Sequence, residues 1–394
     1  MSSPVSAAHR RMLAPIYLPG LLLGIPAQAS LVLLPLFVLD QGGSEAAAAA
    51  VLGWRAVGMM AMDIPAGFIA ARQGEKRVML LAALVIGVAL LAYAFAPGWA
   101  WFFPIALLNG AGSSTFLLGR MAYVTDHLSN QERGRVIALI AGSMRLASLL
   151  GPLLGGALAH TAGYPVALTC GSAMVLSGLL CILLTAEGSA KNAPTPVGWR
   201  AMPAFAVEYR QVYTTYGMAA VTFMLLRSAR TVLLPLVGVG IGLPTVSIGF
   251  VVAVSAAVDV LLFYPAGLAM DRFGRRATAI PSCVLFSAVL LSLAAADSYA
   301  DLLCAAVAAG VANGLSTGIV MTLGTDLAPA ARRGEFLGLW RLLTDAGSAL
   351  GPMTISFLIA AVSVPAASLG VGILGAGGSY VVYRYVAETL QRSR

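Results

Sequence analysis

The chain has 394 residues, 59% of them hydrophobic and 10% charged, with a mean hydropathy of +0.88. Soluble domains carry roughly one-quarter charged residues, so a soluble globular enzyme is all but excluded. The formal charge of +8 does not indicate nucleic acid, because the 24 Lys and Arg stand singly between apolar runs rather than on one basic face.

Near the start, Arg10-Arg11, an apolar run and Ala27-Gln28-Ala29 imitate a cleavable signal peptide. Leu31 to Leu39 continues that run past the ~20 residues needed to cross a bilayer, so the segment reads as a first membrane span at 14–38. Further runs of sufficient length follow at 46–71, 78–97, 100–126, 134–160, 163–185, 211–237, 244–270, 277–297, 301–326, 334–361 and 365–387. Lipid offers backbone amides no alternative partner, so these runs must be helical. The sequence predicts an all-α membrane protein with twelve transmembrane helices.

Breaks on one side of this pattern hold Arg10, Arg11, Arg72, Lys76, Arg77, Arg133, Arg135, Lys191, Arg200, Arg210, Arg272, Arg275, Arg276, Arg332, Arg333, Arg384, Arg392 and Arg394. Breaks on the other side hold Asp40, Glu45, Asp297 and Asp301 and no base, a bias that predicts cytoplasmic termini. The remaining basic residues, Arg55, Arg120, Arg145, Arg227, Arg230 and Arg341, fall inside predicted spans.

The two halves repeat one another. Pro65-Ala66-Gly67 recurs as Pro265-Ala266-Gly267, Arg72-Gln73-Gly74 as Arg272-Phe273-Gly274, Arg133-Gly134 as Arg333-Gly334, Asp126 as Asp326, and Gly151-Pro152 as Gly351-Pro352, always at an offset of 200. Both copies of the basic loop lie on the same side, so each repeat holds an even number of spans, giving two parallel, pseudo-symmetric six-helix halves. The halves are expected at 1–185 and 211–394, joined by a polar cytoplasmic linker at 186–210.

These residues resemble the major facilitator superfamily, across essentially the whole chain. The family's loop after the second helix reads approximately G-x-x-x-D-R-x-G-R-[RK], and Gly267, Asp271, Arg272, Gly274, Arg275 and Arg276 match it fully. The first copy, Gly67, Arg72, Gly74, Lys76 and Arg77, departs from it with Ala71 and Glu75. Gly151, Pro152, Gly155 and Gly156 on the fifth helix resemble the signature of the bacterial drug/proton antiporter branch; the same residues also suit close helix packing. The resemblance implies a multi-pass protein of the bacterial inner membrane, read as a monomer.

A charge at mid-bilayer costs ~2.5–3.5 kcal/mol even on insertion scales, so the intramembrane ions should be paired or face a wet cavity. Arg145 lies 12 residues after Arg133, and Asp259 lies 8 residues before Gly267, which places both at similar depth and predicts an Arg145–Asp259 pair. Asp63 and Arg341 repeat that relation one turn nearer the basic loops, predicting a second pair. Asp345 shares a helical face with Arg341 at i, i+4 and could instead take Arg55. In the resembled fold both pairs fall where the halves separate, which makes Asp63, Asp259, Asp345, Arg145, Arg341 and Arg55 candidates for proton coupling and gating, with fixed structural pairs as the alternative.

The same resemblance has helices one, four, seven and ten line a central cavity. There Arg227, Arg230 and Arg120, with Gln28, Asn109, Ser113, Asn313 and Ser316, are candidate substrate-binding residues, and the arginines would suit a carboxylate or phosphate. Arg120 could alternatively snorkel or pair with Asp126. Cys170, Cys181, Cys283 and Cys304 sit in apolar stretches without CxxC spacing and read as small buried hydrophobes. No phosphate-binding loop, metal-ligand cluster or catalytic cluster is recognisable, so no metal, no cofactor and no enzyme activity is expected. The expectation is a secondary active transporter moving a small organic or amphipathic solute, by proton-coupled efflux, with proton-coupled import of an organic anion or a transport-dead receptor as alternatives. Its partners are then a small-molecule substrate, protons and the lipid bilayer.

Overall fold

The computed structural model describes residues 12–188, 202–316, 318–329, 332–385 and 388. Arg10, Arg11, Lys191, Arg200, Arg392 and Arg394, and residues 189–201 of the expected linker, lie outside the described residues. All regular elements described are helical.

Twelve helices are long and apolar enough to cross a membrane. They are α1 (Leu13–Asp40), α2 (Glu45–Gln73), α3 (Glu75–Ala94), α4 (Phe102–His127), α5 (Asn130–Ala162) and α6 (Tyr164–Thr185), then α7 (Met218–Gly240), α8 (Thr245–Phe273), α9 (Arg276–Leu293), α10 (Tyr299–Leu327), α11 (Arg333–Ala361) and α12 (Val364–Tyr385). A short helix, Met202–Glu208, precedes α7. The chain is a multi-pass membrane protein with two parallel, pseudo-symmetric six-helix halves.

Local chemistry sets the helix ends. The Ser44 hydroxyl accepts from the Ala47 amide to start α2, and Ser129 with Glu132 forms a reciprocal cap on α5. Gly74 and Gly274 end α2 and α8 at equivalent points with φ of 84° and 101°, a region that disfavours a Cβ. The third span, expected to reach residue 97, stops at Ala94, because Pro97 excludes helical backbone at the residue before it. The tenth span is interrupted: Tyr299–Ser316 and Ile319–Leu327 meet at Gly318, whose φ is 86°.

The 200-residue repeat extends to packing. In one half α1 packs on α5, α2 on α4 and α3 on α6; in the other α7 packs on α11, α8 on α10 and α9 on α12. The halves meet at α2–α11 and α5–α8, with α1 alongside α7. Gly151 shows why the fifth-helix glycines are needed. A Cβ there would stand 2.7 Å from the Ile25 carbonyl oxygen, and at Gly249 one would stand 2.5 Å from that of Pro152. Backbones therefore touch, within one half at α1–α5 and between halves at α5–α8, in the manner of small-residue contacts in lipid. Of the cysteines, Cys283 is buried as expected, but Cys181 is half-buried and Cys170 and Cys304 are exposed.

Candidate functional site

Two ionic clusters sit at the contacts between halves. At α5–α8, Arg145 Nη1 lies 3.2 Å from Asp259 Oδ1, and the Arg145 guanidinium covers the Phe263 ring at 3.9 Å. This is the pairing that depth along the two helices predicts. Arg227 and Arg230 on α7 also lie within Coulombic range of Asp259.

At α2–α11, Arg341 holds two carboxylates. Its Nη2 is 3.2 Å from Asp63 Oδ1, and its Nε is 3.6 Å from Asp345 Oδ2. Ser114 on α4 donates its hydroxyl to Asp63 Oδ1 and accepts from Arg341 Nη2 at 3.4 Å. Depth arithmetic finds the Asp63–Arg341 pair but not Ser114, whose participation depends on how α4 is rotated. Asp345 goes to Arg341 rather than to Arg55, because the Arg55 guanidinium is already held on α4: Nε donates to Asn109 Oδ1 at 3.0 Å and Nη2 to Ser113 Oγ at 3.3 Å.

Between the halves lies a cavity of about 250 Å³, lined by Arg55, Met59, Arg227, Thr231, Asp345 and Ser348 among others. A neighbouring cavity of about 230 Å³ is bordered by Gln28, Arg55, Ser113 and Arg120. A third, about 60 Å³, touches Gln28, Ser148, Arg230 and Ser255. Arg227, Arg230, Arg120, Gln28 and Ser113 thus line cavities. Asn109 and Asn313 instead stand behind the arginines, Asn313 accepting from Arg227 Nε at 2.6 Å. Ser316 is buried and donates to the Asn313 carbonyl of its own helix.

Arg120 neither snorkels nor forms an ion pair with Asp126. It is 3% exposed, with Nη2 directed at Met144 Sδ at 3.4 Å and its guanidinium 5.7 Å from the Phe116 ring. Arg230 donates from Nη1 to Ser255 Oγ at 3.1 Å. Among the described residues, the side-chain hydrogen bonds of Arg55, Arg120, Arg227 and Arg230 go to neutral groups: amides, hydroxyls and thioethers.

The two basic loops differ. In the second, Arg275 Nε lies 3.2 Å from Asp326 Oδ2, and its Nη1 lies 3.4 Å from Asp271 Oδ1. Glu388, beyond α12, accepts from the Arg275 and Arg276 amides at 2.8 and 3.1 Å, capping α9. In the first, Arg72 is exposed at the rim of a cleft of about 780 Å³ between α2 and α11, and Lys76 Nζ donates to the Leu183 carbonyl at 3.0 Å. A Cβ at Gly67 or Gly267 would meet nothing within 4 Å, so no tight packing accounts for those two glycines.

The sequence profile of the Major Facilitator Superfamily matches residues 17–258 and 215–393. The chain is 25% identical over 324 residues to the "Multidrug resistance protein MdtH" of Salmonella newport (strain SL254), covering 80% of this chain and 78% of that one. The protein of the same name from Salmonella paratyphi B (strain ATCC BAA-1250 / SPB7) is 24% identical over the same length. Among solved structures, a variant of the nucleoside transporter NupG superposes with a TM-score of 0.78 at 14% identity, covering 97% of this chain and 100% of that one. A D-xylose-proton symporter superposes with a TM-score of 0.73 at 17% identity, covering 98% and 100%.

Proposed function

The chain belongs to the Major Facilitator Superfamily of membrane transporters, and from that premise we propose that it exports a small organic or amphipathic solute in exchange for protons. The observation that carries this reading is the cavity of about 250 Å³ that Arg55 of one half and Arg227 and Asp345 of the other line together. A site built from both halves is exposed to one face or the other as the halves rock, while the ion clusters at α2–α11 and α5–α8 break and re-form. The name of the Salmonella relatives supports export of organic compounds. In this reading the basic face is cytoplasmic, the membrane is the bacterial inner membrane, both termini are cytoplasmic, and the working unit is a monomer.

A second reading, proton-coupled import of an organic anion, is favoured by the four intramembrane arginines whose side chains hydrogen-bond to neutral groups. Everted vesicles with an acid interior separate the two. Export predicts that ethidium or carboxyfluorescein accumulates inside and that collapsing the pH gradient releases it. Import predicts that preloaded carboxyfluorescein leaves on the same gradient. A transport-dead receptor would bind a probe and move neither. For an anionic probe, Arg227→Ala should weaken binding roughly 10- to 150-fold, since a hydrogen bond to a charged group contributes ~1.5–3 kcal/mol. Unchanged affinity would remove Arg227 from the binding site.

A further inference from the structure

The α2–α11 cluster holds more negative charge than it can neutralise. Asp63 and Asp345 stand against the single guanidinium of Arg341, so with both acids ionised the group of three carries one uncompensated negative charge. The Asp63 side chain is 3% exposed and that of Asp345 is 16% exposed, so water screens little of it. The two carboxylates also lie within hydrogen-bonding reach of each other. Asp63 Oδ2 and Asp345 Oδ2 are both buried and neither accepts a hydrogen bond. Two carboxylate oxygens have no proton to offer each other; one added proton turns their repulsion into a hydrogen bond and brings the cluster to neutrality.

Among the described residues, no other charged or titratable group on the packed elements forms an ion pair with either acid. Arg55, on α2, is bound to Asn109 and Ser113 of α4, and Tyr93 of α3 lies near it. Arg227, on α7, faces the same cavity as Asp345 but donates to Asn313. From α4 the contact is the neutral Ser114, while Arg120 faces Met144. Glu208 of the short helix is bound to Arg332, 3.0 Å away.

We propose that Asp63 and Asp345 bind one proton between them across Arg341, and that this pair, not Asp259, is where the chain takes up its coupling proton. The coupling role rests on the proton-exchange reading; the shared proton does not. Asp345 lines the cavity and Asp63 lies behind it, so the proton arrives from cavity water at an Asp345 oxygen, forming an O–H bond directed at Asp63. Its departure returns both groups to carboxylates, which repel across α2–α11 and loosen that contact. Asp259 meets Arg145 directly and, among the described residues, faces no second carboxylate, so it has no acid with which to share a proton.

Infrared difference spectroscopy of the reconstituted full chain tests this. Wild type at neutral pH should show the carbonyl stretch of a protonated carboxyl group, shifted in heavy water. Asp345→Asn and Asp63→Asn should each lose it, because the remaining acid then faces Arg341 alone and ionises. Asp345→Glu should keep a displaced band, and Asp259→Asn should leave the band unchanged. Thermal melting in detergent identifies any variant that fails to fold, and Asp345→Asn, which retains the Asp63–Arg341 pair, is expected to fold. Absence of the band in wild type, its persistence in both Asn variants, or its loss in folded Asp259→Asn would overturn the proposal. A band with the expected pattern, in vesicles that show no pH-driven flux, would sustain the shared proton and defeat proton exchange instead.

Discussion

The α5–α8 and α2–α11 contacts are the same contact built twice, yet they carry opposite charge imbalances. At the 200-residue offset, Arg145 corresponds to Asp345, Asp259 to Met59, Phe263 to Asp63, and Arg341 to Ala141. The first contact pairs one cation with one anion and has two further arginines in range of that anion. The second sets two anions on one cation. Duplication thus preserved the backbone approaches, Gly151 on α1 and Gly351 on α7, while the ionisable side chains diverged. A pseudo-symmetric frame lets one contact hold a one-to-one ion pair while its twin holds two acids on one base.

The most damaging way to break this contrast is Asp259→Asn. It leaves Arg145 buried without its anion and removes the compensation for Arg227 and Arg230, at a cost of about 3–5 kcal/mol. Arg145→Met should cost distinctly less, because Asp259 keeps Arg227 and Arg230. Asp345→Asn should cost little, because the Asp63–Arg341 pair remains and a neutral amide replaces the acid that shares the proton. Thermal unfolding in detergent measures all three, and equal losses at Asp259 and Asp345 would erase the distinction between the contacts.

A smaller effect sharpens the comparison at the loops. Glu388→Gln weakens the cap on α9 and its favourable placement at a helix N-terminus, at a cost of about 1 kcal/mol. Lys76→Met, which removes only a half-exposed contact to the Leu183 carbonyl, should change stability by less than that.

Much of this was legible from residue order because the relevant variable was depth. Rise per residue places Arg145 level with Asp259 and Asp63 level with Arg341, and hydropathy alone places the twelve spans. What it could not supply was rotation about each helix axis. Asn109 reads as a substrate contact if α4 turns it to the cavity; Arg55 reaches it from α2 instead, and reaches Ser113 at the edge of a cavity. Ser114 completes its cluster through an azimuth that a single sequence does not encode, whereas the i, i+4 spacing already puts Asp345 beside Arg341. Depth alone lets Arg120 reach the surface, but its side chain is enclosed near Met144 and Phe116. Gly318, one glycine among 43, gives no sign in the sequence that α10 breaks there.

The claim that the proton belongs to α2–α11 is tested most directly by probe exchange in proteoliposomes with and without a pH gradient. Asp345→Asn should still equilibrate carboxyfluorescein or ethidium across the membrane but no longer concentrate it when a gradient is imposed. Asp259→Glu, which keeps the charge of the other contact, should concentrate the probe as wild type does. Gradient-driven accumulation by Asp345→Asn equal to that of wild type would contradict the account.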